Sequence, residues 1–257
     1  MNEKLAPPRR EQIFPPLDRE AELDRLAAKM RAASGLGLQL LSVIGSQAEN
    51  MIDMLPRPVR SGLERATATA LEQSFNAAAL SRRGRIGDTS DWLTRAITLG
   101  TGAAGGFGGL PSALAELPVT TTVMLRSIQS IADEHGFDPA LPEVRAACLR
   151  VFAAAGPLDD DDGADLSFLT LRLSVTGPAI HGLIAKVAPR LAIPLGQKLA
   201  AQAVPVIGAA AGAATNYVFT SYYQEVARVQ FGLMRLDAQT GEGMELLSSD
   251  LKARMKR

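Results

Sequence analysis

The chain has few of the residues that most often carry chemistry or cross-link a fold. It contains one cysteine, Cys148, and two histidines among 257 residues. A single cysteine excludes an intramolecular disulfide and fits a reducing compartment. The first sixteen residues hold four prolines and no apolar segment, so we expect no secretory signal and a cytoplasmic protein.

The chain also has no net charge and no residue pattern that is typical of β-strands. The 27 lysines and arginines equal the 27 aspartates and glutamates, so the charge balance predicts no nucleic-acid partner. Aromatic residues make up only 5% of the chain, and no segment alternates as a β-strand does. Alanine and leucine instead recur at helical spacing, which predicts an all-α, multi-helix single domain.

Composition divides the chain into four segments. We predict a disordered proline-rich tail (1–16), an N-terminal helical arm (17–88), a helical core (89–241) and a C-terminal tail (242–257). Within these segments, glycines and prolines predict where helices begin and end.

The glycines of 35–37 are expected to interrupt the first helix of the arm. Pro118 opens a helix that Gly136 closes, and Pro178 and Pro194 are expected to separate two short apolar helices. These are predictions from local residue preferences alone.

The most unusual feature present is a run of thirty residues, 96–125, whose only charged side chain is Glu116. Six glycines lie in the ten residues from Gly100, where they spell G-x-G-x-x-G. A dinucleotide site needs a strand before this motif and a helix after it, and neither is predicted here. We therefore predict no nucleotide or other cofactor, and we assign Gly105 and Gly106 to close helix packing.

A second block, 199–224, has 26 residues without charge, which is long enough to span a bilayer. Alanine, glycine and polar residues such as Asn216 dilute it, so a buried core helix is favoured over an interfacial segment. An overlapping stretch of 55 residues, 166–220, contains no acidic side chain. Their basic residues are Arg172, Lys186, Arg190 and Lys198. Basic side chains beside apolar surface favour an anionic membrane leaflet.

The two apolar blocks together resemble the EcsC family, named for a protein encoded with a bacterial ABC-transporter operon. The resembling residues are 105–109, 116–118, 125–128, Ala132, 203–209, Asn216, Phe219 and 227–231. The family's closing basic helix is replaced here by 233–241, which departs from its pattern. The resemblance implies a link to a transporter, and it brings no catalytic residues.

Two side chains are informative because each lies in a long uncharged stretch. A buried Glu116 needs a partner, for which Arg126 is the candidate, or it caps the helix that Pro118 opens. Asn216 is expected to bridge helices by hydrogen bonds. His181 stands alone on an apolar segment, where a core histidine is favoured over a catalytic base.

A possible metal site is formed by Asp133, Glu134, His135 and Asp138. Such residues bind a metal only if they converge, and we favour His135 as the cap of a helix C-terminus. No metal is predicted.

These observations favour a non-enzymatic accessory or interaction protein near the membrane, peripheral at the inner membrane. Its expected partners are membrane lipids or membrane-protein subunits, such as those of a transporter. The alternative is an enzyme or helical carrier for a lipid-like or small acyl ligand, built around Glu116, Arg126 and His181.

Overall fold

A computed structural model describes residues 15–44, 57–81, 118–154, 169, 179–202 and 208–256 of the chain. These residues form seven helices and no strand, so the predicted all-α fold is confirmed. The helices are α1 (Arg19–Ile44), α2 (Arg57–Ser81), α3 (118–134), α4 (Pro142–Val151), α5 (Ala179–Gln202), α6 (Gly208–Thr240) and α7 (Met244–Met255).

The first helix runs without interruption through its glycines, so the break expected at 35–37 is wrong. Glycine costs about 1 kcal/mol relative to alanine inside a helix, and packing can offset this cost. Leu23, Leu26 and Met30 repeat at helical spacing and are completely buried. Their burial stabilises α1 more than the glycines weaken it.

The third helix ends at Gly136, as the sequence predicted. Gly136 has φ 87°, a left-handed conformation that favours glycine. The Phe137 amide donates to the Ala132 carbonyl at 2.9 Å, and the Gly136 amide donates to Asp133 at 2.9 Å. This pair of bonds is a Schellman motif, which satisfies the last carbonyls of the helix.

The fifth helix is a single helix rather than two. It continues through Pro194, which was expected to separate two short helices. Proline costs about 3 kcal/mol inside a helix, yet the apolar face of α5 continues on both sides of it. Ile184, Leu191 and Leu195 are all buried against the rest of the bundle. Tertiary packing therefore overrides the local preference of proline.

The sixth helix lies at the centre of the described bundle, in contact with α1, α4, α5 and α7. It runs antiparallel to α1, because Leu17 bonds Gln239 while Lys29 bonds Glu225. The two helices approach closely at Gly232, where an added Cβ would lie 2.6 Å from Leu26 Cδ2.

The residues assigned to a C-terminal tail include helix α7, which packs on α1 and α6. Only Leu247, Ser248 and Leu251 are buried in this helix. Ion pairs add to the contact: Arg254 bonds Asp24 at 2.5 Å and also bonds Glu20. The end of the chain is thus attached to the beginning of the first helix.

Candidate functional site

Three of the predicted site residues lie outside the described residues: Gly105, Gly106 and Glu116. Arg126 is half-buried on α3. His181 lies in the first turn of α5, but its side chain is outside the description. A cleft formed by Glu116, Arg126 and His181 therefore remains a prediction.

Asn216 lies in the interior of the bundle, on the same face of α6 as Thr220 and Gln224. Their spacing of four residues places them one above another along the helix. Gln224 Nε2 donates to the Ser127 hydroxyl of α3 at 2.8 Å. A buried, uncharged polar seam thus runs along α6, and at Gln224 it is joined to α3.

This seam has polar groups on both helices. Ser127 is its member on α3, and Thr120 and Thr121 are further buried polar residues of that helix. On α6, the hydroxyl of Thr220 is completely buried and has no hydrogen-bond partner among the described residues. The seam carries no ionisable side chain, so it offers hydrogen bonds rather than acid–base chemistry. Its i, i+4 spacing on α6 was visible in the sequence, but its α3 partners were not.

The candidate metal residues do not form a metal centre. Among the described residues, no group of three histidine, cysteine, aspartate or glutamate side chains can hold an ion. His135 Nδ1 instead lies 2.7 Å from the Ile131 carbonyl, at the end of α3. Because a carbonyl only accepts, Nδ1 carries the proton and donates it.

His135 caps its helix as a neutral ring. Burial lowers the pKa of His135, with the charges of Arg25 and Arg235 acting in the same direction. The bond to Ile131 opposes this shift more weakly. The cap therefore depends on a neutral N–H donor rather than on the positive charge that a helix C-terminus favours.

An exposed surface with basic and apolar residues lies on α5. Its outward face carries five exposed residues, which we call the outer stripe of α5: Gly182, Ala185, Lys186, Arg190 and Ile193. The basic residues are one helical turn apart, and Ile193 follows Arg190 by three positions, so the three share one face. Ile193 is 50% exposed, as are Val119 and Leu246 elsewhere in the described part of the chain.

Neither Lys186 nor Arg190 makes an ion pair or side-chain hydrogen bond within the described part of the chain. The nearest acidic residues in sequence are Asp165 and Glu225. The other predicted basic residues are not placed: Arg172 lies outside the described residues, and so does the side chain of Lys198. The outer stripe thus presents positive charge and apolar area together, without internal compensation.

A family model for the EcsC protein family matches residues 39–236, well over half of the chain. The chain belongs to the EcsC protein family. The match begins in the last turns of α1 and ends in α6, so the EcsC region contains α2 to α5 with most of α6. No curated protein and no solved structure is significantly similar to the chain.

Most of α1 and all of α7 lie beyond the matched EcsC region, and these two helices contact each other. The outer stripe of α5 lies within the region. No helix in the described part of the chain has the length and hydropathy needed to cross a bilayer.

Proposed function

We propose that this EcsC-family protein is a non-enzymatic accessory protein that works beside a membrane, peripheral to its cytoplasmic face. Its partners there are lipids or membrane-protein subunits, such as those of a transporter. One observation supports this proposal most: Lys186 and Arg190 are exposed one helical turn apart, with no acidic partner in the described part of the chain. Unpaired basic side chains beside an exposed apolar residue suit a negatively charged membrane surface.

The composition of the chain indicates that a local charged surface, and not the net charge of the protein, attracts it to a membrane. Because the whole chain has equal numbers of acidic and basic residues, attraction to a membrane has to come from a local surface. The outer stripe of α5 is such a surface, and it lies within 166–220, where the sequence has no acidic side chain.

Membrane fractionation tests this function. The full-length protein is produced in bacterial cells, and membranes are separated from the soluble fraction at low salt. We expect a large share to sediment with the membranes and to be released by high salt, because salt screens contacts between exposed charges. A protein that stays entirely in the soluble fraction at low salt would contradict the proposal.

A further inference from the structure

We infer that the outer stripe of α5 binds the anionic phospholipid headgroups of a bilayer directly, with Ile193 inserted between them. This inference rests on the proposed function and names its contact surface and ligand. The stripe is Gly182, Ala185, Lys186, Arg190 and Ile193.

The shape of the stripe suits a flat surface. From Lys186 to Ile193 the helix rises by about 10 Å, so the three large side chains reach one plane along nearly two turns. The remaining exposed residues are small: Gly182 has no side chain, and Ala185 has a single methyl group. They do not hold the helix away from the headgroups.

The helix is held rigidly on its other side. Ile184, Val187 and Leu191 are buried, so the outer stripe is presented by a packed element. Binding therefore does not require this helix to fold at the membrane, which avoids an ordering cost.

Charge favours a lipid surface over a protein partner of mixed charge. Near an anionic leaflet each basic residue contributes about fivefold to partitioning, or about 1 kcal/mol. Lys186 and Arg190 lose no internal ion pair when they bind, because neither has one in the described part of the chain. Together they contribute about 25-fold. Ile193 adds affinity that salt does not screen.

The test is co-sedimentation of the purified full-length protein with protein-free vesicles. One vesicle is phosphatidylcholine mixed with phosphatidylglycerol, and the other is phosphatidylcholine alone. We expect binding to the anionic vesicle at low salt, weaker binding at high salt, and little binding to the neutral vesicle.

Charge reversal identifies the surface. The double variant Lys186→Glu/Arg190→Glu is expected to lose at least about 25-fold in affinity. The matched control is Lys252→Glu/Lys256→Glu, which reverses two exposed lysines with the same spacing at α7. The control is expected to bind as the unmodified protein does. Circular dichroism of both variants establishes that each remains helical.

Ile193→Ser separates insertion from charge. We expect it to weaken binding a few-fold while leaving the salt dependence unchanged, because it removes no charge.

Three results would overturn the inference. The first is no binding to the anionic vesicle, and the second is an equal loss in the α7 control. The third is binding to native membranes that protease treatment abolishes, without binding to vesicles. This last result would identify a membrane protein as the partner and leave the proposed function standing.

Discussion

Basic side chains serve different purposes on the two sides of this molecule. At the α1, α6 and α7 side, they pair with carboxylates: Arg19 with Glu242, Lys29 with Glu225, and Arg254 with Asp24. On the outer stripe of α5, Lys186 and Arg190 have no such partner in the described part of the chain. The first group connects neighbouring elements, and the second is exposed without a partner in the described part of the chain.

The two sides differ in helix approach as well as in charge. At Gly232 the backbone of α6 lies against the Leu26 side chain of α1, which would have to shift to admit a Cβ. At Gly182 on the outer stripe, nothing lies within 4 Å of an added Cβ. Packing thus favours a glycine at Gly232, whereas Gly182 has space for a larger residue.

The largest effect is expected from Gly232→Ala. The new Cβ would lie 2.6 Å from Leu26 Cδ2 and 3.2 Å from Cδ1, and Leu26 is completely buried. Overpacking of this kind costs about 1–3 kcal/mol. Urea unfolding should show a lower midpoint with an unchanged slope.

Gly182→Ala is the matched control. Alanine is favoured over glycine inside a helix by about 0.5–1 kcal/mol, so this variant should be slightly more stable than the unmodified protein. If both substitutions change stability equally, the close approach of α1 and α6 is wrong.

A smaller effect is expected from pH, at His135, which lies near Arg25 of α1 and Phe231 of α6. In the unfolded chain His135 takes up a proton near its usual pKa of about 6.5. In the fold its pKa is lowered, first by burial and then by nearby arginines. As the pH is lowered through 6.5, the unfolded state therefore binds more protons than the folded state does. The free energy of unfolding decreases as the pH is lowered. The slope is at most about 1.4 kcal/mol per pH unit.

The His135→Gln variant separates the histidine slope from the slope that carboxylates add as the pH nears 5. Arg254 and Arg19 lower the pKa of Glu20, and Arg19 lowers that of Glu242, so the contribution of these pairs also falls as the pH is lowered. Urea unfolding at several pH values should show the slope, and His135→Gln should flatten it. Vesicle binding by arginine and lysine should not change over this range.

The sequence predicted what depends on local preferences and composition. Helical spacing of the apolar residues predicted the all-α fold, and Gly136 predicted the end of α3. The two apolar blocks predicted the EcsC family. The continuity of α5 through Pro194 was not predictable, because distant packing decides it. The pairing of α1 with α6 joins residues 196 positions apart, such as Lys29 and Glu225, and no local pattern reports it.

The candidate surface was predicted only in part. The absence of acidic residues from 166–220 drew attention to Lys186 and Arg190, but it did not show whether they share a face. The exposure of Ile193 could not be deduced, because the apolar residues around it belong to the buried face of α5. Knowing which face is buried requires knowing what packs on it.

The smallest effect is expected from Arg254→Gln, at the exposed end of the paired side. Arg254 bonds Asp24 and Glu20, and both carboxylates are largely exposed to solvent. Exposed ion pairs contribute little to global stability and are screened by salt. We therefore expect the thermal midpoint to change little, while amide hydrogen exchange in α7 becomes faster at low salt. High salt should remove the difference between the variant and the unmodified protein. Lys252→Gln, an exposed change on the same helix, should leave exchange unaltered. A loss of global stability as large as that of Gly232→Ala would contradict this prediction, because it would mean that these surface ion pairs hold the fold together. The basic residues of α1 and α7 would then differ from Lys186 and Arg190 in how much they stabilise the fold, and not only in whether they have partners.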